Sequence, residues 1–206
     1  MLSAFTAGLL LITISELGDK TFFISAILAT RHPRRWVFAG AIAALAAMTL
    51  ISVLAGQAAG LLPRHYVKAA EVALFLGFGL KLVYDAMQMS GQETMEEECK
   101  EAAETLKEAG PPLPVAVAPW PIASKAFTLT FLAEWGDRTQ LATITLAAGN
   151  NPLGVAVGAT LGHAICAAIA VIFGRMIAGR LSEKTLTLMG GTLFLVFGAV
   201  AAMSLV

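Results

Sequence analysis

Two short polar strings, each set inside a long apolar stretch, constrain this chain more than any other feature. They read Glu-Leu-Gly-Asp-Lys-Thr at 16–21 and Glu-Trp-Gly-Asp-Arg-Thr at 134–139, so the same order of acid, glycine, acid, cation and hydroxyl recurs at an offset of 118 residues. A charged side chain at the centre of a membrane helix costs about 2.5–3.5 kcal/mol on insertion scales. The charges in each string therefore indicate a transport site rather than a surface that faces lipid.

Apolar runs of about 20 residues, long enough to cross the hydrocarbon core of a bilayer, recur along the chain. With 57% hydrophobic and only 14% charged residues, the composition differs from that of soluble domains, which are about a quarter charged. The sequence therefore predicts an all-α, polytopic membrane protein. Turn residues and charge clusters separate the runs, and we place six transmembrane helices at 5–29, 37–61, 69–90, 124–149, 153–177 and 185–205.

The repeat extends beyond the two strings, since Gly40 pairs with Gly158 at the same offset. The chain divides into a first three-helix repeat at 1–90, a linker at 91–123 and a second three-helix repeat at 124–206. Because three is an odd number, the second repeat must enter the membrane from the opposite side. The six helices then form a 3+3 inverted repeat, which is typical of secondary transporters.

The linker differs in kind from the rest of the chain. Seven glutamates precede five prolines, and this order predicts an acidic helix followed by a stiff, extended tether. One hypothesis makes the linker a solvated connection between the two halves. The other is that its carboxylates gather or sense divalent cations near the pore entrance, since a field of one sign concentrates counter-ions.

Basic residues indicate the orientation in the membrane. If the first short loop is cytoplasmic, nine Lys and Arg residues lie on that side and two on the other, which satisfies the positive-inside rule. We therefore predict a cytoplasmic linker and two non-cytoplasmic termini. The nine are Arg31, Arg34, Arg35, Lys100, Lys107, Lys125, Arg175, Arg180 and Lys184, and the two are Arg64 and Lys68. The formal net charge of zero leaves no basic stripe for a nucleic-acid partner.

The acids of the two strings are the predicted metal ligands. Glu16 and Asp19 are three residues apart, as are Glu134 and Asp137, and in a continuous helix this spacing puts each pair on one face. The inverted halves then bring four carboxylates together at one depth in the membrane. Oxygen ligands of this kind suit manganese, calcium and magnesium better than copper or zinc.

Further oxygen atoms lie close by in the sequence. Thr21 and Thr139 offer hydroxyl oxygens, and Gln140 could supply an amide oxygen. Gly18 and Gly136 permit either close helix contact or a local unwinding that frees backbone carbonyls.

Each string also carries one cation. Lys20 and Arg138 stand four residues after Glu16 and Glu134, in the favourable order for an intrahelical ion pair. A second hypothesis is that these cations occupy the site when no metal is bound. Four carboxylates and two cations leave a deprotonated site at minus two, so one divalent cation or two protons neutralise it. This charge balance favours exchange of one divalent cation for protons, because an isolated double charge is costly to bury.

The paired strings, the six-span duplication and the acidic cytosolic linker closely resemble the transmembrane protein 165 family, the Gdt-type cation/proton exchangers of the Golgi, chloroplasts and bacteria. The resemblance implies transport of manganese or calcium against protons, with Glu16, Asp19, Glu134 and Asp137 as ligands. It implies a bacterial manganese exporter, in the plasma membrane or, in a cyanobacterium, the thylakoid. The expected partners are the cation, protons and the lipid bilayer, with no cofactor besides the transported ion.

Other functions are weighed against this one. An intramembrane hydrolase is disfavoured because the neighbouring cations would keep two of the acids ionised, so we expect no enzymatic activity. A passive divalent-cation channel and an exporter of a small organic cation or amino acid are the alternatives. His163, within the fifth span, would suit a proton relay, although a hydrogen bond between helices is the favoured interpretation.

Overall fold

Nine helices form the described part of the chain in the computed structural model, which describes residues 1–89, 96–111, 113–114, 118–177 and 182–204. Parts of the predicted linker (91–95, 112 and 115–117), the last residue of the first predicted repeat (90), the loop at 178–181 and residues 205–206 lie outside the described residues. The helices are α1 Leu2–Glu16, α2 Lys20–Arg31, α3 Arg34–Ala59, α4 Arg64–Gln88, α5 Glu96–Glu108, α6 Pro119–Ala133, α7 Arg138–Gly149, α8 Pro152–Ile177 and α9 Glu183–Met203.

Three of the described helices, α3, α8 and α9, are long and apolar enough to cross a bilayer. The pair α1 and α2 meets the same test together, although it bends by 66° at its break, so four spans result if this pair counts as one. The protein is therefore an all-helical membrane protein. Six spans require α4 and the α6–α7 pair to cross as well, and α4 carries five charged residues: Arg64, Lys68, Glu71, Lys81 and Asp85.

Two of the predicted spans are broken, and each break lies in one of the polar strings. Glu16 ends α1 and Asp19 caps the start of α2, while Glu134 follows α6 and Asp137 caps the start of α7. The prediction that each pair of acids shares one helical face is therefore wrong. The chain unwinds locally at the glycine between the acids, which was the open alternative.

The two halves pack together through helix pairs, each with one helix from either half. α1 packs along α8, its counterpart α6 packs along α3, and α4 packs along α9. Two of the close contacts between helix backbones occur at equivalent positions of the two repeats. A side chain at Gly40 would collide with the backbone of Ala123, and one at Gly158 with the backbone of Phe5. Both members of each contact are related by the offset of 118 residues. Small residues let helix backbones approach closely in membranes, so these glycines fix how the halves meet.

The acidic linker helix α5 packs against α2. Ala102 is fully buried, and Cys99 and Leu106 pack on the same apolar cluster, which also contains Phe22 and Ile122. Its charged residues Lys100, Glu104 and Lys107 are exposed. In the described residues, the linker is therefore a docked amphipathic helix rather than a fully solvated connection.

Candidate functional site

Glycine makes both helix breaks possible. Gly18 and Gly136 have φ angles of 86° and 84°, in the left-handed region that residues with a side chain disfavour. The residue after each glycine, Asp19 or Asp137, then starts a new helix as its N-cap. The N-terminus of a helix carries a partial positive charge, so both breaks present a favourable electrostatic environment to carboxylates, as broken helices do in transporters.

Glu16, Glu134 and Asp137 lie together although they come from opposite halves of the chain. One carboxylate oxygen of each lies within 4.8 Å of the others. Glu16 and Glu134 are each only 3% exposed, and the Oε1 atom of each has no hydrogen-bond partner among the described residues. A buried polar atom without a partner is costly, and a bound cation would remove that cost. The structure thus brings three of the four predicted ligands together.

Asp19, the fourth predicted ligand, lies outside this group. Its Oδ1 atom is 3.5 Å from Nη2 of Arg138 in the opposite half. Asp137, by contrast, accepts hydrogen bonds from the backbone N–H of Gln140 at 2.6 Å and the Thr139 hydroxyl at 2.7 Å. Asp19 has no side-chain capping bond of this kind. The two copies of the string therefore share a backbone conformation but give their second acid different partners.

Lys20 and Arg138 do not form the predicted intrahelical pairs with Glu16 and Glu134. The helix breaks between each acid and its cation, so the two side chains lie on opposite sides of the break. Lys20 Nζ instead lies 3.6 Å from Oε2 of Glu101 in the linker helix, and Arg138 pairs with the acid at the first break. The prediction of intrahelical pairs is therefore wrong, and both cations join distant parts of the chain.

The predicted hydroxyl and amide oxygens surround the carboxylates. Thr21 and Thr139 are buried. Gln140 turns its Oε1 atom back to accept the N–H of Gly136 at 2.7 Å, and it thereby stabilises the second break. Thr139 donates its hydroxyl to Asp137. In this conformation Gln140 and Thr139 orient the site.

Two small cavities of about 10 Å³ each contain His163 of α8 in their walls. One cavity also contains Glu134 and Asp137, and the other contains Glu16. Each has room for about one water molecule. His163 is 5% exposed, and its Nδ1 atom has no hydrogen-bond partner among the described residues. The interhelical hydrogen bond favoured from the sequence is therefore not made by this atom within the described residues.

Ser25 and Thr143 also line these cavities, and the sequence analysis did not identify them. Ser25 lines the cavity that contains Glu16, and Thr143 lines the one that contains Glu134. The repeat itself carries the signal that could have found them. Both residues bear hydroxyl groups, and they occupy equivalent positions at the offset of 118 residues.

A larger cavity of about 170 Å³ reaches the first break from the side of the linker. Burial, and then the charges of Asp19 and Glu101, raise the pKa of the Glu98 carboxyl to about 7; the charge of Arg138 opposes this rise, and that of Glu183 adds the smallest contribution to it. The walls of this cavity contain four acids and one cation: Asp19, Asp85, Glu98, Glu183 and Arg138. The negative field of the acids concentrates cations in the cavity.

Comparison with known proteins gives a consistent result. A family model described as divalent cation/proton antiporter GDT1 matches residues 4–90 and 122–205. The two matched ranges are the two halves of the chain, and the segment between them is most of the linker.

Known relatives cover nearly the whole chain. A GDT1-like protein of Synechocystis is 56% identical over 201 residues, which cover 98% of this chain and 97% of that protein. GDT1-like protein 4 of Oryza sativa subsp. indica is 43% identical over 203 residues, or 96% of this chain and 72% of its own length. The chloroplastic PAM71-homolog of Arabidopsis thaliana is 41% identical over 211 residues, or 96% and 58%. No solved structure matches the chain.

Proposed function

Because the chain belongs to the GDT1 family of divalent cation/proton antiporters, we propose that it carries Mn²⁺ across a membrane in exchange for protons, with Ca²⁺ as the second candidate ion. Membership in this family confirms the resemblance to the transmembrane protein 165 family. The family is one of transporters, and its substrates are divalent cations and protons.

The group of Glu16, Glu134 and Asp137 is the observation that carries this proposal. The three carboxylates come from both repeats, and their oxygens are close enough to contact one ion. Carboxylate oxygens are the preferred ligands of Mn²⁺ and Ca²⁺. We propose that these three residues bind the ion in the described conformation, and that Thr21 or a water in the adjoining cavities completes the shell.

The charge of the group accounts for coupling to protons. Asp19 and Arg138 neutralise each other, and Lys20 is paired with Glu101. Three carboxylates therefore remain at the site. Three protons neutralise them, and so do one divalent cation and one proton. The difference between these neutral states is two protons per ion, which is the stoichiometry that we propose.

We propose that Asp19 and Arg138 change partners during the transport cycle. In the described conformation Asp19 is paired with the guanidinium of Arg138 and lies outside the group of the other three acids. We propose that Asp19 joins the ligands when Arg138 moves, so that all four acids of the two strings contact the ion during the cycle. This restores the role that the sequence predicts for Asp19.

The difference between the two sides of the molecule supports alternating access. On one side α4 packs against the end of α7, where Glu71 accepts hydrogen bonds from Lys68 at 2.8 Å and Asn150 at 3.4 Å. On the other side the 170 Å³ cavity lies between the first helix break and a wall formed by the end of α4 and the start of α9, which a hydrogen bond of 2.9 Å from Lys184 to the carbonyl oxygen of Met89 holds together. We propose that this conformation is closed at Glu71 and open toward the linker.

The architecture and location belong to the same proposal. We propose six spans in a 3+3 inverted repeat, with α1–α2 and α6–α7 each counting as one broken span, and with the linker in the cytoplasm. The repeat-related contacts of Gly40 and Gly158 support the inverted repeat. The relatives from a cyanobacterium and a chloroplast support a bacterial plasma membrane or thylakoid membrane.

Ion flux in proteoliposomes tests the function. We expect an imposed pH gradient to drive uphill Mn²⁺ movement, with two protons moved per ion and no net charge transfer. Ca²⁺ and Mg²⁺ are compared under the same conditions. Glu16→Gln and Asp137→Asn each replace one carboxylate by a neutral amide, and we expect each to lower the flux by at least about tenfold, since the loss of one member of a buried charged contact costs about 2–5 kcal/mol. Glu104→Gln, an exposed change of the same chemistry on α5, is the matched control.

Each part of the proposal has its own contrary result. Full activity of both ligand variants would overturn the site. Strongly electrogenic transport would overturn the stoichiometry. Downhill Mn²⁺ flux that does not change with the pH gradient would identify a channel. Transport of an organic cation with which metal ions do not compete would favour that cation as the substrate.

A further inference from the structure

A second cavity, of about 400 Å³, lies at the end of α2, on the opposite end of this helix from the transport site. It separates the ends of α2 and α5 and reaches the start of α6. The cavity has a polar rim and an apolar wall. The polar residues are Arg31, His32, Lys107 and Lys125, and the larger apolar residues are Ile27, Leu28, Leu106 and Leu113.

The charge of this cavity is of one sign. Three permanent cations line it, and none of the residues in its walls is acidic. Within the described residues, Arg31, Lys107 and Lys125 form no ion pair with a carboxylate, although α5 itself is rich in glutamate. Lys125 donates only one long hydrogen bond, of 3.3 Å, to the carbonyl oxygen of Pro111. Cations gathered without counter-charge repel one another, and an anion would relieve the repulsion.

His32 provides a second, independent indication of a ligand. Its side chain lines the cavity and is only 7% exposed, yet its Nδ1 atom has no hydrogen-bond partner among the described residues. Burial, followed by the charges of Lys125 and Arg31, lowers the pKa of His32. A neutral imidazole keeps one N–H donor, and a buried polar atom without a partner is costly.

We propose that this cavity binds a phosphate group, held by Arg31, Lys107, Lys125 and His32. Guanidinium groups bind phosphate oxygens in pairs, and ammonium groups bind them as point charges. Two sources can supply the group, an anionic lipid headgroup or a free phosphate ion. The apolar wall of Leu28 and Leu106 fits the glycerol and first methylenes of a lipid, and basic pockets between membrane helices bind anionic headgroups.

The position of the cavity gives the ligand a mechanical role. Arg31 belongs to α2, Lys107 to α5 and Lys125 to α6, so a phosphate in the cavity joins three helices. Two of them, α2 and α6, belong to opposite repeats, and the third is the linker helix that lies beside Lys20. A bound lipid would therefore hold α5 in its docked position. This inference does not depend on which ion is transported.

Ligand-dependent stability of the purified full-length protein tests the proposal. The probes are phosphatidylglycerol, phosphatidylcholine and inorganic phosphate, each added to protein in detergent. The readouts are the thermal unfolding temperature and the number of lipids retained in native mass spectrometry. We expect phosphatidylglycerol to stabilise the protein and phosphatidylcholine not to. Each cation near a surface adds about 1 kcal/mol to the binding of anionic lipid, so Arg31→Gln with Lys125→Gln should weaken binding by about 30-fold.

The matched control is Arg34→Gln with Arg35→Gln, which removes the same charge from the adjacent exposed residues without touching the cavity. Stabilisation by phosphatidylglycerol that only the cavity variant loses supports a lipid headgroup. Equal stabilisation by inorganic phosphate, also lost only in that variant, supports the same site with a free ion as the source. The proposal is overturned if phosphatidylcholine acts equally well or if both double variants bind phosphatidylglycerol like the unaltered protein. Retained lipid is counted directly, so a lower basal stability of a variant does not obscure the result.

Discussion

The second helix break depends on the backbone of Gly136 and not on the space around it. A side chain added there would have no heavy atom within 4 Å, yet the φ angle of 84° remains unfavourable for any residue with a Cβ atom. Backbone strain can therefore be measured at this position without steric conflict. Gly77, in the interior of α4, has equally open space and no positive φ angle, which makes it a matched comparison.

We expect Gly136→Ala to lower the free energy of unfolding by about 1–2 kcal/mol, because it forces an alanine into the left-handed region. Gly77→Ala should raise that free energy by about 0.5–1 kcal/mol, because alanine is the better residue in a helix. Denaturant unfolding of the detergent-purified protein measures both. A neutral result for Gly136→Ala, or the same sign for both variants, would contradict a break stabilised by glycine.

At the scale of elements, the linker helix α5 places acidic residues beside the start of α2 and a basic residue beside its end. Glu98 and Glu101 lie beside Asp19 and Lys20 at the start of α2, and Lys107 shares the basic cavity with Arg31 at the end. The two helices therefore lie side by side in the same direction. A segment whose composition predicts a solvated acidic linker thus forms part of the wall of the cavity at the first helix break.

Docking of α5 should depend on pH through Glu98. The pKa of this carboxyl rises from 4.5 to about 7 on docking, so the docked state binds the proton more tightly. The contribution to docking is complete below pH 4.5 and is lost as the pH rises through 7. We expect tryptic cleavage at the exposed Lys100, normalised to cleavage of the denatured chain, to be several-fold faster at pH 8 than at pH 6.

Glu98→Gln should abolish this pH dependence, because a neutral amide does not titrate. Glu104→Gln, on the exposed face of the same helix, should retain it. Equal pH dependence in all three proteins would show that another group controls the docking of α5.

At the scale of the whole molecule, Glu71 of α4 accepts hydrogen bonds from Lys68 of its own helix and from Asn150, which follows α7, on the side that we propose is closed. Glu71 is buried, and its carboxylate packs so closely on Gly149 that a side chain at position 149 would collide with it. Loss of the negative charge would leave Lys68 without its partner and weaken the contact between α4 and α7. The side opposite the linker should then open more often.

We expect Glu71→Gln to expose Cys166, which is buried beside Glu16. The chain has two cysteines, so Cys99→Ser leaves Cys166 as the single thiol. A membrane-impermeant thiol reagent added on the side opposite the linker should label Cys166 several-fold faster in the Glu71→Gln variant. Glu104→Gln in the same background is the control. Faster labelling only from the linker side would contradict a gate at Glu71.

Local pattern predicts part of this arrangement and distant contacts decide the rest. The helical character follows from the apolar runs, and the meeting of Glu16, Glu134 and Asp137 agrees with duplication of the string. The partners of Lys20 and Arg138 could not be predicted, because they depend on docking of the linker and of the opposite repeat. The buried role of Glu71 also depends on a partner 79 residues away in sequence.

The ion pair between Arg138 and Asp19 joins the two halves of the chain. Each half alone would leave one of these charges without its partner, and an unpaired charge inside a membrane is costly. Covalent linkage through a single chain keeps the two charges together from the moment both halves are inserted. The two halves are not identical beside this pair, since Gln140 follows the second string where Phe22 follows the first, so each half contributes a different side chain to the junction.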